Sequence, residues 1–415
     1  MLRKIKENYH WVIIVAGFML CFTGLGFVSG NKGLFLAAVT EALGISRGVY
    51  AVSDSLRYVA TSVTNLFFGA LMFKFGPRLL VGFGMGALAL SCLVSSLAEN
   101  IVGIYLGGVL LGLGMTFAGT TFVGYIIKRW CTKNQGTILG LVLCANALGT
   151  AMTAPWLSSM IYSGDPFGYR NAYRTLSLIL LVVGVVLVLV FRDAPKDRPL
   201  PQKKNGKGHT WEGITLQHAL RKPYFYLTCV CVFLTGAVLQ SVTGVASAHL
   251  KDQGLDADFV ATNLSIFALS LATFKFLSGF LYDRKGLKFT MLICDGAAVI
   301  MILLLAMVTA STEGRICAIA YAVLSGLALP LETVMLPLIA GDLFGEKEFS
   351  KMLGILVSVN TAGFAIAPLI SNLCFDALGT YRPVFIAYAV LMCGVTAAFL
   401  FVHRQAAATK IEMNQ

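Results

Sequence analysis

Five charged side chains lie away from the ends of long apolar runs or are singled out within them: Lys32, Asp54, Arg57, Lys275 and Glu332. A charge at the centre of a bilayer costs at least about 2.5–3.5 kcal/mol on insertion scales, so it persists where it is paired, hydrated or used. Lys275 is the deepest cation. It stands roughly eight to ten residues from the polar end of its run, about 12–15 Å along a helix, too deep for comfortable snorkelling. Its ammonium suits the carboxylate of a bound solute. The other reading is a salt bridge to Glu332, and the two are compatible if the pair opens when solute binds. Glu332 lies in ALPLETVML, beside Pro330. A carboxyl in such surroundings is a candidate to exchange a proton during a cycle, or else a neutral or paired group that orders packing.

Lys32 stands nearer the outer end of the first run, where it either assists in holding an anion or snorkels to the headgroups. Arg57 follows Asp54 by three residues on one helical face, so it forms an internal pair or serves as a second anion ligand. The buried cations outnumber the buried acids, and a cavity with surplus positive charge favours an anionic solute. Asn146, Asn360 and Gln240 are polar and lie within apolar runs. Each is placed either to hydrogen-bond a solute or to bond across helices. Asp295, close to the end of its run, reads as structural.

The elements that must position these groups are membrane helices. Of 415 residues, 57% are hydrophobic and 13% charged, against roughly a quarter charged in soluble domains. A helical span needs about 20 apolar residues. Twelve segments qualify, at 11–38, 48–72, 79–98, 100–127, 134–164, 175–191, 223–250, 259–282, 289–310, 316–340, 352–375 and 383–402. The expected class is an all-α membrane protein. Arg3, Lys4 and Lys6 precede a run too long for a cleavable signal, so the first run is read as a span. The glycines at 103, 107, 108, 112 and 114 read as close helix contacts and not as a phosphate loop, because no strand precedes them and no Lys-Ser/Thr follows.

The net charge of +12 does not point to nucleic acid, because the cations gather at the ends of spans. Most lie on the side of the N-terminus, and Arg47, Arg170, Arg174, Lys251, Arg315 and Arg382 occupy the other. The positive-inside rule then predicts both termini in the cytoplasm. The segment 193–222 is polar, basic and proline-containing, and it parts the spans six and six. It reads as a cytoplasmic linker with a short surface helix near 215–220, solvated or touching anionic lipid. The domains are therefore 1–192, 193–222 and 223–415. The ten cysteines form no C-x-x-C pair, and the histidines form no paired motif. Catalysis, metal and cofactor are not expected.

The two halves repeat. Gly69-Ala-Leu-Met-Phe-Lys-Phe-Gly-Pro-Arg78 follows the second span, and Gly279-Phe-Leu-Tyr-Asp-Arg-Lys-Gly-Leu-Lys288 follows the eighth. A second echo at nearly the same offset pairs Gly140, Asn146 and Gly149 with Gly354, Asn360 and Gly363, with Pro155 and Pro368 after the respective copies. Parallel duplication of a six-helix half accounts for both.

Six plus six helices with these loops resemble the major facilitator superfamily. The second copy matches its loop motif at Gly279, Leu281, Asp283, Arg284 and Gly286. The first keeps Gly69, Leu71, Gly76 and Arg78 but has Phe73 in place of the aspartate. Within the superfamily the chain looks like the branch of monocarboxylate transporters and oxalate/formate antiporters. Lys32, Lys275 in place of an arginine, and Tyr125-Ile-Ile-Lys-Arg-Trp130 carry that likeness. Leu271 replaces the acidic partner one turn before Lys275. The resemblance implies two six-helix bundles and a cytoplasmic gate at Asp283 and Arg284. It also implies a monomeric secondary transporter that moves a small organic anion by alternating access, as proton symport or anion exchange. A carrier or proton-coupled efflux pump for neutral or hydrophobic compounds is the alternative. The short loops suit a bacterial inner membrane.

Overall fold

The computed structural model describes residues 2–45, 47–131, 133–161, 167–192 and 213–412. The chain divides into two compact units, Met1–Pro201 and Gln202–Gln415. In the first, α1 (Leu2–Leu20) runs into a π-helical stretch, Cys21–Ser29, turns at Gly30 and Asn31, and resumes as α2 (Lys32–Leu43). α3 (Arg47–Leu66) leads into α4 (Phe68–Leu97). α5 (Ile101–Ala118) is interrupted at Gly119 and continues as α6 (Thr120–Trp130). α7 (Gln135–Ile161) and α8 (Gly168–Val190) complete the unit.

The second unit opens with the short α9 (Leu216–Ala219), at the place the sequence suggests a surface helix; the Thr215 side chain caps it. The remainder of the basic segment, 193–212, lies outside the described residues. α10 (Pro223–Asp252), α11 (Ala257–Ala306), α12 (Thr312–Ala328), α13 (Met335–Phe344), α14 (Phe349–Leu378) and α15 (Arg382–Glu412) follow. Among the described residues, ten helices are long and apolar enough to cross a membrane. The longest, Asp258–Ala306, is kinked at Gly286 into two crossings, and the more polar α3 supplies another, which makes twelve.

Two expectations need correction. The stretches 69–78 and 279–288 are not loops. Helix runs through each, broken at one residue only: Gly76 at φ 71°, ψ 165° and Gly286 at φ 81°, ψ 176°. Those backbone angles are essentially open to glycine alone, so a single glycine makes the turn. The tenth span is not continuous either. Between α12 and α13 lie a 3₁₀ turn, Leu329–Glu332, and Thr333 at φ −126°, ψ −69°. Pro330 and Pro337 lack the backbone N–H that an unbroken helix would need there.

Close approach of helices explains the repeated glycines. A Cβ on Gly149 of α7 would strike the carbonyl oxygen of Phe22, and one on Gly363 of α14 would strike that of Phe233 in α10. The fifth and eleventh spans thus meet the first and seventh in the same way, each through its own unit's copy of the repeat.

Candidate functional site

In the first unit the site is built on the interruption of the first span. The turn frees carbonyls that the helix no longer pairs, and membrane interiors require such groups to be satisfied internally. Asn31 answers this. Its Nδ2 donates to Gly26 O at 3.0 Å and to Thr153 Oγ1 of α7 at 2.7 Å. The hydroxyl of Thr150 adds a bond to Gly26 O at 3.1 Å. Lys32 is then the first residue of α2, a position where the helix dipole already presents positive potential. A cation there needs a counter-charge, and α3 provides it.

Lys32 Nζ donates to Ser53 Oγ at 2.9 Å and to Asp54 Oδ1 at 2.8 Å. Arg57 Nη2 reaches the same Asp54 oxygen at 3.1 Å, and its Nη1 donates to Ser29 Oγ at 3.0 Å, on the other side of the turn. The guanidinium lies 4.5 Å from the centre of the Tyr58 ring. The burial is uneven. The Lys32 and Arg57 side chains are 13% and 8% exposed, and that of Asp54 is 38% exposed. Among the described residues, Arg57 Nε is buried with no hydrogen-bond partner. α3 is held in register by the glycines of the fourth span. A Cβ on Gly108 would lie 2.5 Å from Ser53 O, and Thr61 Oγ1 donates to Gly112 O at 3.0 Å. Beside Lys32 is a pocket lined by Tyr50, Ser53, Ser91, Ser95 and Tyr173.

In the second unit, Lys275 sits on α11 and is 4% exposed. The helix is fixed to α12 by Asn263 Nδ2, which donates to Ala318 O at 2.8 Å, and by Ser270 Oγ, which donates to Val323 O at 2.7 Å. This attachment brings Lys275 within electrostatic reach of Glu332 in the broken turn of the tenth span. Among the described residues, Glu332 Oε1 and Thr333 Oγ1 are buried without hydrogen-bond partners. Both clusters therefore stand at interrupted helices, the arrangement that leaves backbone and side-chain polar groups available to a solute.

The remaining expected residues are dispersed. Asn360 Nδ2 donates to Val232 O of α10 at 3.1 Å, a bond across helices. The backbone carbonyl of Asn146 accepts from Thr150 Oγ1 at 3.0 Å, and that of Gln240 from Thr243 Oγ1 at 3.4 Å. In the loop motifs, Arg78 Nε donates to Val188 O at 2.8 Å, and Arg284 lies 4.3 Å from the Phe280 ring centre. Gly69 and Gly279 are buried helical positions. The neighbouring Tyr282 hydroxyl bonds to Asp342 in α13.

Sequence reasoning missed Ser29, Asn31, Ser53 and Thr153, which orient the first cluster. The run Ser29-Gly-Asn-Lys32 carries a signal: Ser, Gly and Asn together punctuate helices, even inside a span. No such signal ties Lys32 to Asp54, which meet only through the packing of α2 on α3.

A family model described as Major Facilitator Superfamily matches residues 16–321 and 228–414. Monocarboxylate transporter 13 of Bos taurus is 26% identical over 403 residues, covering 93% of this chain and 88% of that one. Multidrug resistance protein 2 of Bacillus subtilis is 19% identical over 396 residues, covering 94% of each. The solved proton:xylose symporter XylE, bound to 6-bromo-6-deoxy-D-glucose, matches with a TM-score of 0.72 at 13% identity, covering 96% of each chain; that likeness is one of fold alone.

Proposed function

The chain belongs to the major facilitator superfamily, and from that premise we propose that it carries a small organic anion, a mono- or dicarboxylate, by proton symport or anion exchange. One observation carries the reading: two buried cations, Lys32 and Arg57, converge on a single oxygen of the Asp54 carboxylate, whose side chain is more exposed than theirs. Cations held this way are matched to a carboxylate, and charge-assisted hydrogen bonds of this kind are the strong ones. Lys275 supplies a further ligand, with Glu332 as a proton-coupling carboxyl. Asn146, Asn360 and Gln240 add hydrogen bonds to the solute. The turns at Gly76 and Gly286, with Gly69, Arg78, Gly279, Asp283 and Arg284, serve the cytoplasmic gate.

A carrier of neutral or hydrophobic compounds is the second reading. The match to Multidrug resistance protein 2 along 94% of both chains favours it, as does Leu271, which leaves Lys275 without an acid one turn earlier. In either case both termini lie in the cytoplasm of a bacterial cell, 193–222 links halves 1–192 and 223–415, and the monomer is the working unit in its lipid.

Uptake into proteoliposomes of labelled small carboxylates, with and without a proton gradient, tests the proposal against Lys275→Gln. Saturable flux that the variant loses supports it. Normal carboxylate transport by the variant removes Lys275 from the site. No carboxylate flux through folded protein favours the neutral-compound carrier.

A further inference from the structure

Asp54 spends its charge on two cations at once. Lys32 Nζ and Arg57 Nη2 both bind Oδ1, at 2.8 and 3.1 Å. Such cations are not free to hold a second carboxylate while the first remains ionised beside them. Three further observations show that they are placed for one. Arg57 Nε is buried without a hydrogen-bond partner among the described residues, so the guanidinium has a donor to spare. Lys32 stands at the N-terminus of α2, where backbone N–H groups favour an anion. The Asp54 carboxylate is the most exposed member of the three, at 38%, and can be reached by a proton and by a solute.

We infer that Asp54 is an internal stand-in for the substrate's carboxylate: a proton on Asp54 opens both ion pairs and hands Lys32 and Arg57 to the anion. The inference rests on the carboxylate-carrier reading and deepens it, since it makes the first unit a proton–anion symport device in its own right. The step balances. One proton from the medium bonds to an Asp54 carboxylate oxygen, two ion pairs break, and the solute carboxylate forms two in their place. The cluster has one net positive charge when empty and one when loaded with a proton and a monoanion, so loading adds no charge to the bilayer. The other titratable groups that face Asp54 within its unit are Tyr50 on its own helix and Tyr173 on α8. Both are phenols, neutral at pH 7, and the Lys32 amine, the remaining titratable group of the cluster, is kept in Asp54→Asn, so that variant separates its proton from the carboxyl's.

The test uses the full-length protein, purified and weakly buffered, with pyruvate, lactate and oxalate as probes. Proton uptake is read with a pH-indicator dye, and Kd is followed from pH 6 to pH 9. Wild type takes up about one proton per anion, and its Kd rises about tenfold per pH unit on the alkaline side. Asp54→Asn takes up no proton through this cluster, its profile is flat, and at the alkaline end it binds at least about tenfold tighter than wild type. Asp54→Glu keeps the slope and moves its midpoint, which decides the matter should the asparagine variant not fold. Anion binding without proton uptake by wild type, or an Asp54→Asn profile that matches wild type, overturns the inference and leaves the carboxylate reading standing. Folded wild type that binds none of the three anions overturns that reading, and the inference with it.

Discussion

The two units solve the same problem differently. Each holds cationic charge inside a helical bundle, beside an interrupted span. In the first, the carboxylate is the accessible partner and the cations are buried; Lys32 and Arg57 share Asp54 Oδ1, and Ser53 Oγ accepts from Lys32. In the second, Lys275 is buried, its partner Glu332 lies in the break, and Oε1 and the adjacent Thr333 hydroxyl have no hydrogen-bond partner. The first cluster is an ion-paired network that must be opened, with one guanidinium N–H to spare; the second leaves a carboxyl oxygen and a hydroxyl unused among the described residues. The contrast teaches that a duplicated fold preserves its helix turns and contacts more strictly than its chemistry.

Arg57→Gln breaks the comparison most severely. It removes charge-assisted hydrogen bonds to Ser29 and Asp54, about 1.5–3 kcal/mol each, with the Asp54 share reduced because that carboxylate is 38% exposed and keeps Lys32. The expected result is a marked fall in thermal stability together with loss of carboxylate flux, read by a melting curve and by uptake. Lys275→Gln follows. Loss of a hydrogen bond to a charged group costs about 1.5–3 kcal/mol, roughly ten- to a hundredfold in affinity. Adding Glu332→Gln to it should recover stability lost by the single variant, because the carboxyl then no longer lacks its counter-charge. Direct titration of both proteins with the transported anion and a paired melting curve check this.

The shared parts should respond alike. Gly286→Ala and Gly76→Ala each force an alanine into backbone angles that belong to glycine, at about 1–3 kcal/mol. Comparable losses of melting temperature in the two variants are expected, and a loss in one alone would show that the halves use the turn differently. The smallest effect is peripheral. The Leu216 N–H and then the Lys351 ammonium hold the Glu348 carboxyl below its usual range. A depressed carboxyl contributes stability above its unfolded value and loses it as pH falls through the folded one. Glu348→Gln should therefore speed hydrogen exchange at the Leu216 amide a few-fold at pH 7, and the difference should vanish in acid. Partial solvent exposure keeps this effect small.

Hydropathy and repetition made the spans, their six-plus-six order and the repeated motifs at 69–78 and 279–288 legible from sequence, but not that a single glycine makes the turn in each. The interruptions were harder to see. A hydropathy window registers Cys21–Ser29 and Leu329–Glu332 as apolar, and says nothing of which carbonyl each N–H finds. Asp54 and Arg57 were visible as a pair because they are three residues apart. Lys32 reads from sequence either as an anion ligand or as a snorkelling cation, and its pairing with Asp54 is invisible there, since nothing within one helix announces a partner on the next. Asn360 stands in a repeat with Asn146, yet its bond to Val232 depends on how closely α14 approaches α10, a distance set by packing.

The central claim is that the solute's negative charge is what the site reads. Counterflow in proteoliposomes with matched pairs, lactate against lactamide and pyruvate against pyruvamide, isolates that charge at nearly constant shape. The account predicts that the carboxylates exchange and the amides do not; amides exchanging as fast as their carboxylates would contradict it.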